Sequence, residues 1–271
     1  MKIIRFVDEQ GGIVRGTAWD GESASLVEGD GMSGFKETGP RVKVGRVLPV
    51  VTPAAVICIG LNYRRHALET GLDLPKYPAV FMKNPGAVTG HNSPIVIPRC
   101  CAQPPETDFE AELGVIIKAP ARNVTVEEAL DFVLGYTCAN DISARRWQKH
   151  AGAGQWVKGK SFDTFCPCGP VMVTEDEIND PQDLEIQSRV NGEKMQKSNT
   201  GDMVFSVARI ISYLSQSCTL LPGTLILTGT PEGVGFIRKP PVYLMPGDRV
   251  EVEISGIGVL ENHVIQEEPG A

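Results

Sequence analysis

Two glutamates one residue apart, Glu110 and Glu112, stand inside an apolar run, Phe109-Glu110-Ala111-Glu112-Leu113-Gly114-Val115-Ile116-Ile117. On a β-strand alternate residues share a face. Both carboxylates then point one way, while Phe109, Ala111, Leu113, Val115 and Ile117 point the other. Like charges side by side on a sheet repel. Solvent, a basic partner or a cation must offset that repulsion, and a hard divalent cation with oxygen ligands suits the pair. A half-buried strand with one wet face produces the same alternation. Asp108, just before the pair, reads as a turn or supporting residue. A third acid, Asp141, lies between an apolar stretch and a helical one in Ala139-Asn140-Asp141-Ile142-Ser143-Ala144-Arg145. Taken alone it reads as a helix N-cap. With 4 histidines in the chain, a histidine-rich zinc site is hard to assemble, and an oxygen-rich Mg²⁺ or Mn²⁺ site is the better match.

His66 and Glu69 are spaced i and i+3, so on a helix their side chains can meet. The carboxylate would orient the imidazole, which would move a proton or activate water; a surface hydrogen-bonded pair is the plainer alternative. Arg145 and Gln148 have the same spacing and share one helix face. Gly154-Gln155-Trp156-Val157-Lys158-Gly159-Lys160-Ser161 satisfies the phosphate-binding loop pattern letter for letter. That motif works only between a strand and a helix whose first amides hold the phosphates. Here Phe162-Asp163-Thr164-Phe165-Cys166-Pro167-Cys168-Gly169-Pro170 follows, and its two prolines oppose a helix. Nucleotide binding is rejected on that context.

The elements that must position these groups are mostly strands. The 29 glycines and 20 prolines are spread along the 271 residues, as expected for short strands joined by turns. Residues 1–48 read as a small, loop-rich N-terminal domain, and residues 49–271 as the main domain, denser in apolar runs. Helices are expected over 62–69, 126–133, 143–150 and 202–215, the last being the most amphipathic. Asn191-Gly192 marks a hairpin turn. The class is mostly β with some α.

Several functions are excluded. The net charge is −7 and the pI near 5.2, with no basic block, so no nucleic acid is expected. No apolar stretch approaches the roughly 18 residues that cross a membrane. The start, Met1-Lys2-Ile3-Ile4-Arg5-Phe6, reads as a strand rather than a signal peptide. Seven cysteines, without zinc-type spacing, point to core thiols in a reducing compartment. The cytoplasm or the mitochondrial matrix fits.

Six segments taken together resemble the fumarylacetoacetate hydrolase superfamily. They are Ile59-Gly60-Leu61-Asn62-Tyr63-Arg64-Arg65-His66-Ala67-Leu68-Glu69, Ala79-Val80-Phe81-Met82-Lys83 and Asp108-Phe109-Glu110-Ala111-Glu112-Leu113. Then come Asn140-Asp141-Ile142-Ser143-Ala144-Arg145 with Gln148, Gly159-Lys160-Ser161-Phe162-Asp163, and Thr228-Gly229-Thr230-Pro231-Glu232-Gly233-Val234-Gly235. They stand in the family's order. Asp163-Thr164-Phe165-Cys166-Pro167 and Arg238-Lys239-Pro240-Pro241-Val242 are similar to the subgroup called fumarylacetoacetate hydrolase domain-containing protein 2.

The resemblance implies a mixed β-sandwich roll, commonly a homodimer. It implies Mg²⁺ or Mn²⁺, with Ca²⁺ as a stand-in, held by Glu110, Glu112 and Asp141. It implies a small 2-oxo acid substrate that is chelated and enolised. His66, Glu69 and Lys160 take the catalytic positions, Lys160 facing the developing oxyanion. The His66–Glu69 stretch belongs to a lid, so the pair is expected to close on substrate. Gly229 and Thr230, in the Gly-rich loop, match the part that holds the substrate's carboxylate. Arg145 and Gln148 would bind its distal group, and Lys83 and Tyr63 are weaker candidates of the same kind. Many relatives carry Asp where this chain has Arg146, a departure that bears on pocket charge. Enolisation can end in C–C hydrolysis of a β-diketo acid, in keto–enol tautomerisation of oxaloacetate, or in decarboxylation of oxaloacetate. A metal-binding protein of this fold without turnover is the non-enzymatic alternative.

Overall fold

The β-branched and apolar runs of the chain form strands throughout. The computed structural model describes residues 1–30, 34–150 and 154–268. The strands are β1 (Lys2–Val7), β2 (Ile13–Thr17), β3 (Ser23–Asp30), β4 (Gly34–Lys43), β5 (Val56–Gly60), β6 (Ala79–Lys83), β7 (Val88–Thr89), β8 (Ile95–Ile97) and β9 (Thr107–Asp108). They continue with β10 (Ala111–Ile117), β11 (Val133–Asn140), β12 (Ser143–Ala144), β13 (Cys166–Thr174), β14 (Glu185–Val190), β15 (Glu193–Asn199), β16 (Leu225–Leu227), β17 (Arg249–Ile254) and β18 (Gly258–Gln266). The α-helices are short: α1 (Arg64–Thr70), α2 (Arg145–Lys149), α3 (Trp156–Lys160) and α4 (Val207–Leu214).

The large sheet runs β4-β3-β2-β1-β13-β11-β10-β16-β5-β6, with β7 beside β13. A five-stranded sheet, β15-β14-β17-β18-β8, packs across its centre against β10, β11 and β13. The N-terminal strands are continuous with the large sheet, because β1 pairs antiparallel with β13. Burial covers both faces of β10. Leu113, Val115 and Ile117 pack in one cluster with Ile186, Val252 and Leu260, whereas Ile116 packs in another with Val56, Cys58 and Leu227. The fold is therefore mostly β, in two packed layers.

Three local expectations change. The strand carrying the two glutamates begins at Ala111, so Phe109 and Glu110 precede it and Phe109 turns into a third cluster with Phe165 and Leu244. The region 126–133 holds only a 3₁₀ turn, Ala129–Phe132. The amphipathic helix starts at Val207, where the Ser206 hydroxyl accepts from the Arg209 N–H, a serine cap winning over the preceding apolar residues. The Asn191-Gly192 turn forms as expected, both residues at positive φ (52° and 80°).

Candidate active site

Asp141 is not a helix cap. It leaves β11 in the stretch before β12, and α2 is capped at Ala144. The Asp141 N–H donates to the Glu110 carbonyl at 2.9 Å, and the Glu110 N–H donates to Asn140 Oδ1 at 3.0 Å. These bonds join the start of β10 to the end of β11. Glu110, Glu112 and Asp141 each place a carboxylate oxygen within 4.8 Å of the others, and all three are buried.

Two lysines and an arginine thread this cluster. Lys160 Nζ donates to Glu110 Oε2 at 2.8 Å, to Asp141 Oδ2 at 2.7 Å and to Ser143 Oγ at 2.7 Å. Lys83 Nζ donates to Asp141 Oδ1 at 2.5 Å. Arg145 bonds Asp108 through Nε (2.8 Å) and pairs with Glu110 at 2.7 Å. Burial alone would push the Glu110 carboxyl up, but Lys160 and Arg145 outweigh it and hold the group below the usual carboxylate range. Burial likewise disfavours the Lys160 ammonium, yet Asp141 and Glu110 keep it charged.

Glu112 differs. No Lys or Arg lies within ion-pair distance of it among the described residues, and its Oε2 accepts the Gly229 N–H at 2.7 Å. Burial first, then Asp141 and Glu110, push its carboxyl well above the usual range. Four buried carboxylates (Asp108, Glu110, Glu112, Asp141) thus face three cations (Lys83, Arg145, Lys160). Glu112 is the one of the four left without a cationic partner, and the donors are hard oxygens. That donor set fits Mg²⁺ or Mn²⁺.

The cluster opens into a cavity of about 380 Å³ lined by His66, Glu110, Glu112, Arg145, Lys160 and Thr230, among others. The dyad is formed in the structure: His66 Nδ1 lies 2.7 Å from Glu69 Oε1. A carboxylate only accepts, so in the neutral imidazole Nδ1 carries the proton and Nε2 is left as the base. The Thr230 hydroxyl accepts from Gln196 Nε2 at 2.8 Å. Its own proton is thereby free for an anion in the cavity.

Other candidates have different places. Gly229 commits its N–H to Glu112 rather than to the cavity. It has φ +99°, and a Cβ there would stand 2.6 Å from Asn62 Cβ, so only glycine brings this amide to the carboxylate. Lys83 is buried behind Asp141 and does not line the cavity. Tyr63 is fully buried in the main core, and its hydroxyl meets no hydrogen-bond partner among the described residues. Arg146 turns outward to Glu106 (2.9 Å) and the Cys100 carbonyl (2.6 Å), so it leaves the pocket charge unchanged.

Asp108, read as a supporting residue, is the hub of the wall: it accepts from Gly235 N–H (2.8 Å), Phe236 N–H (3.0 Å) and Arg145. Sequence reasoning missed Gln196, Phe236 and Lys149. Gln196 comes from the second sheet, and nothing in its local sequence points to the site. Lys149 follows Gln148 directly, which was a usable signal. The phosphate-loop match is also explained. A short helix, α3, lies inside the motif and a strand, β13, follows it. A Cβ on Gly159 would stand 2.5 Å from the Gln148 N atom. That glycine lets α3 press against α2, which seats Lys160 among the acids.

Comparison with known proteins gives the family. Residues 55–265 match the family described as fumarylacetoacetate (FAA) hydrolase C-terminal. The chain is 44% identical over 245 residues to oxaloacetate tautomerase fahd2, mitochondrial, of Xenopus laevis, covering 90% of this chain and 76% of that protein. It is 44% identical over 226 residues to oxaloacetate tautomerase FAHD2A, mitochondrial, of Homo sapiens, covering 83% and 71%. Among solved structures, fumarylacetoacetate hydrolase from Exiguobacterium antarcticum superposes with a TM-score of 0.86 at 37% identity, covering 98% of this chain and 100% of that one. The 2-hydroxyhepta-2,4-diene-1,7-dioate isomerase of Mycobacterium marinum gives 0.84 at 35% identity, covering 99% and 100%. The chain is an enzyme of the fumarylacetoacetate hydrolase family.

Proposed function

We propose that this protein interconverts the keto and enol forms of oxaloacetate. The observation that carries the reading is that the buried triad Glu110, Glu112 and Asp141 shares one cavity with the His66–Glu69 dyad and Lys160. The oxaloacetate tautomerases among its relatives support the choice of substrate. Glu110, Glu112 and Asp141 would hold Mg²⁺ or Mn²⁺, which when bound supplies a Lewis acid for a 2-oxo acid's carboxylate and keto oxygens.

The chain's own groups do the rest. Thr230 donates its hydroxyl proton to the substrate's carboxylate. His66 Nε2 takes a proton from C3, and Glu69 steadies the imidazolium that forms. Lys160, its three N–H groups on Glu110, Asp141 and Ser143, stabilises the negative charge growing on the 2-oxo oxygen through its own charge. The imidazolium then returns the proton to that oxygen, which completes the enol; the reverse order gives the keto form. Apolar walls from Ile59, Phe81 and Trp156 limit water at the reacting carbon.

C–C hydrolysis of a β-diketo acid is the second reading, because the same dyad could activate water, and a solved relative is titled fumarylacetoacetate hydrolase. Decay of the ultraviolet absorbance of enol-oxaloacetate, with Mg²⁺ and with EDTA, tests the proposal. Faster decay with Mg²⁺ supports it. No acceleration, or release of pyruvate and CO₂ in step with the decay, refutes it. We infer a homodimer as well, supported by exposed Val80 and Met82 on the edge strand β6. A mitochondrial matrix setting accords with seven free cysteines and with the relatives' names.

A further inference from the structure

Arg145 was the expected partner of the substrate's distal group, but its guanidinium is spoken for. It hydrogen-bonds Asp108 through Nε at 2.8 Å and Gln148 Oε1 through NH1 at 2.9 Å, and its NH2 is ion-paired at 2.7 Å with both Asp108 and Glu110 without a well-directed hydrogen bond to either. Moving it to a ligand would strand two buried carboxylates. The neighbouring groups are placed differently. Gln148 uses its oxygen to accept from Arg145, which turns its NH₂ away from that contact, and the NH₂ has no partner among the described residues. Lys149 is exposed at the rim of the same cavity, its Nζ 3.6 Å from the centre of the Phe236 ring. Arg145 stacks on that ring as well, at 4.4 Å. No carboxylate lies within ion-pair distance of Lys149 among the described residues.

We propose that Lys149, with the Gln148 amide, is the receptor for the distal carboxylate of a 2-oxo dicarboxylic acid, and that Arg145 only positions Gln148. This deepens the tautomerase reading and rests on its choice of 2-oxo acids as ligands. Two features support the assignment. The triad carries a carboxylate without a cationic partner, so a dianion needs a further cation in the cavity, and Lys149 is a lining cation with no carboxylate in ion-pair distance among the described residues. Burial first and then the adjacent Arg145 disfavour the Lys149 charge, more than Asp108 and Glu110 favour it, and an arriving carboxylate would offset that cost by its opposite charge. The Phe236 ring beneath Nζ fixes the ammonium over the opening rather than out in solvent.

The test is calorimetric, on the Mg²⁺-loaded protein, with 2-oxoglutarate and 2-oxopentanoate. These acids have equal chain length and differ in the distal carboxylate. Wild type should bind the diacid about tenfold more tightly. Lys149→Met should abolish that preference while leaving the monoacid affinity and the melting temperature unchanged, and Lys149→Arg should restore it. No diacid preference in wild type, or an equal loss for both acids in Lys149→Met, overturns the assignment. Oxaloacetate turnover is measured in parallel. Absent turnover with the diacid preference intact would sink the tautomerase reading and leave the Lys149 site standing.

Discussion

Glu69 holds His66 Nδ1 at 2.7 Å and with the same carboxylate receives the Gly233 N–H, at 3.0 Å to each oxygen. One acid therefore orients the base and ties α1 to the Gly-rich loop that carries Thr230. Glu69→Gln keeps the shape but not the charge that stabilises an imidazolium. It should lower kcat about 100-fold and leave oxalate binding, read by inhibition, within twofold of wild type on that same footing. A large loss of oxalate affinity would contradict the role given to Glu69.

Glu112 links metal binding to pH. Burial, then Asp141 and Glu110, raise its carboxyl pKa in the metal-free fold. A raised carboxyl binds more protons folded than unfolded, so metal-free stability falls as pH rises beyond the ordinary carboxylate range. The slope is about 1.4 kcal/mol per pH unit for one proton. Mg²⁺ takes the proton's place, so its stabilising effect should grow with pH. Melting temperatures from pH 5 to 8, with EDTA and with Mg²⁺, read this directly. In Glu112→Gln the pH slope and the Mg²⁺ gain should both disappear.

Lys160 is the only cation that bridges two of the three triad acids among the described residues. Lys160→Met leaves Glu110 and Asp141 without that partner. The metal-free protein should lose about 3–5 kcal/mol, measured by urea unfolding. Mg²⁺ should recover part of the loss, since it neutralises the same oxygens. Turnover should stay low even when Mg²⁺ binds, because no other group takes over at the 2-oxo oxygen. Full activity in the Mg²⁺-loaded variant would remove Lys160 from the chemistry.

Asp108 tests the wall of the cavity. Asp108→Asn would turn an amide toward the donors of Gly235, Phe236 and Arg145 and strip the arginine of a counter-charge. Stability should fall by about 3 kcal/mol, and KM should rise more than kcat falls, since the residue meets no reacting atom. Kinetics at saturating Mg²⁺ distinguish this from a metal defect.

The three acids were legible in the sequence because their types and order survive in a motif, and the family's order placed them together. Their environment was not legible. Alternation in 109–117 suggested a wet face for the glutamates, yet both are buried, because a second sheet and the α2–α3 pair cover the region. The helix expected over 126–133 shrank to one turn, since apolar spacing there reports packing against α4 rather than helical hydrogen bonding. Sequence context already ruled out a phosphate loop at Gly159 and Lys160, but only the close contact with α2 shows what the glycine is for.

Sequence alone determined the chemistry on offer: hard oxygen ligands, a His–Glu pair at helical spacing, one lysine in register, and strands to carry them. Residue type and spacing are local properties, and they survive without knowledge of the fold. Tertiary structure decided which groups remain available. Arg145 is consumed by Asp108 and Glu110, Gly229 by Glu112, and Lys83 by Asp141. Lys149, exposed and lining the cavity, is left without an ion-pair partner among the described residues. A buried charge takes the nearest opposite charge, and nearness in space is not written in the order of residues along the chain.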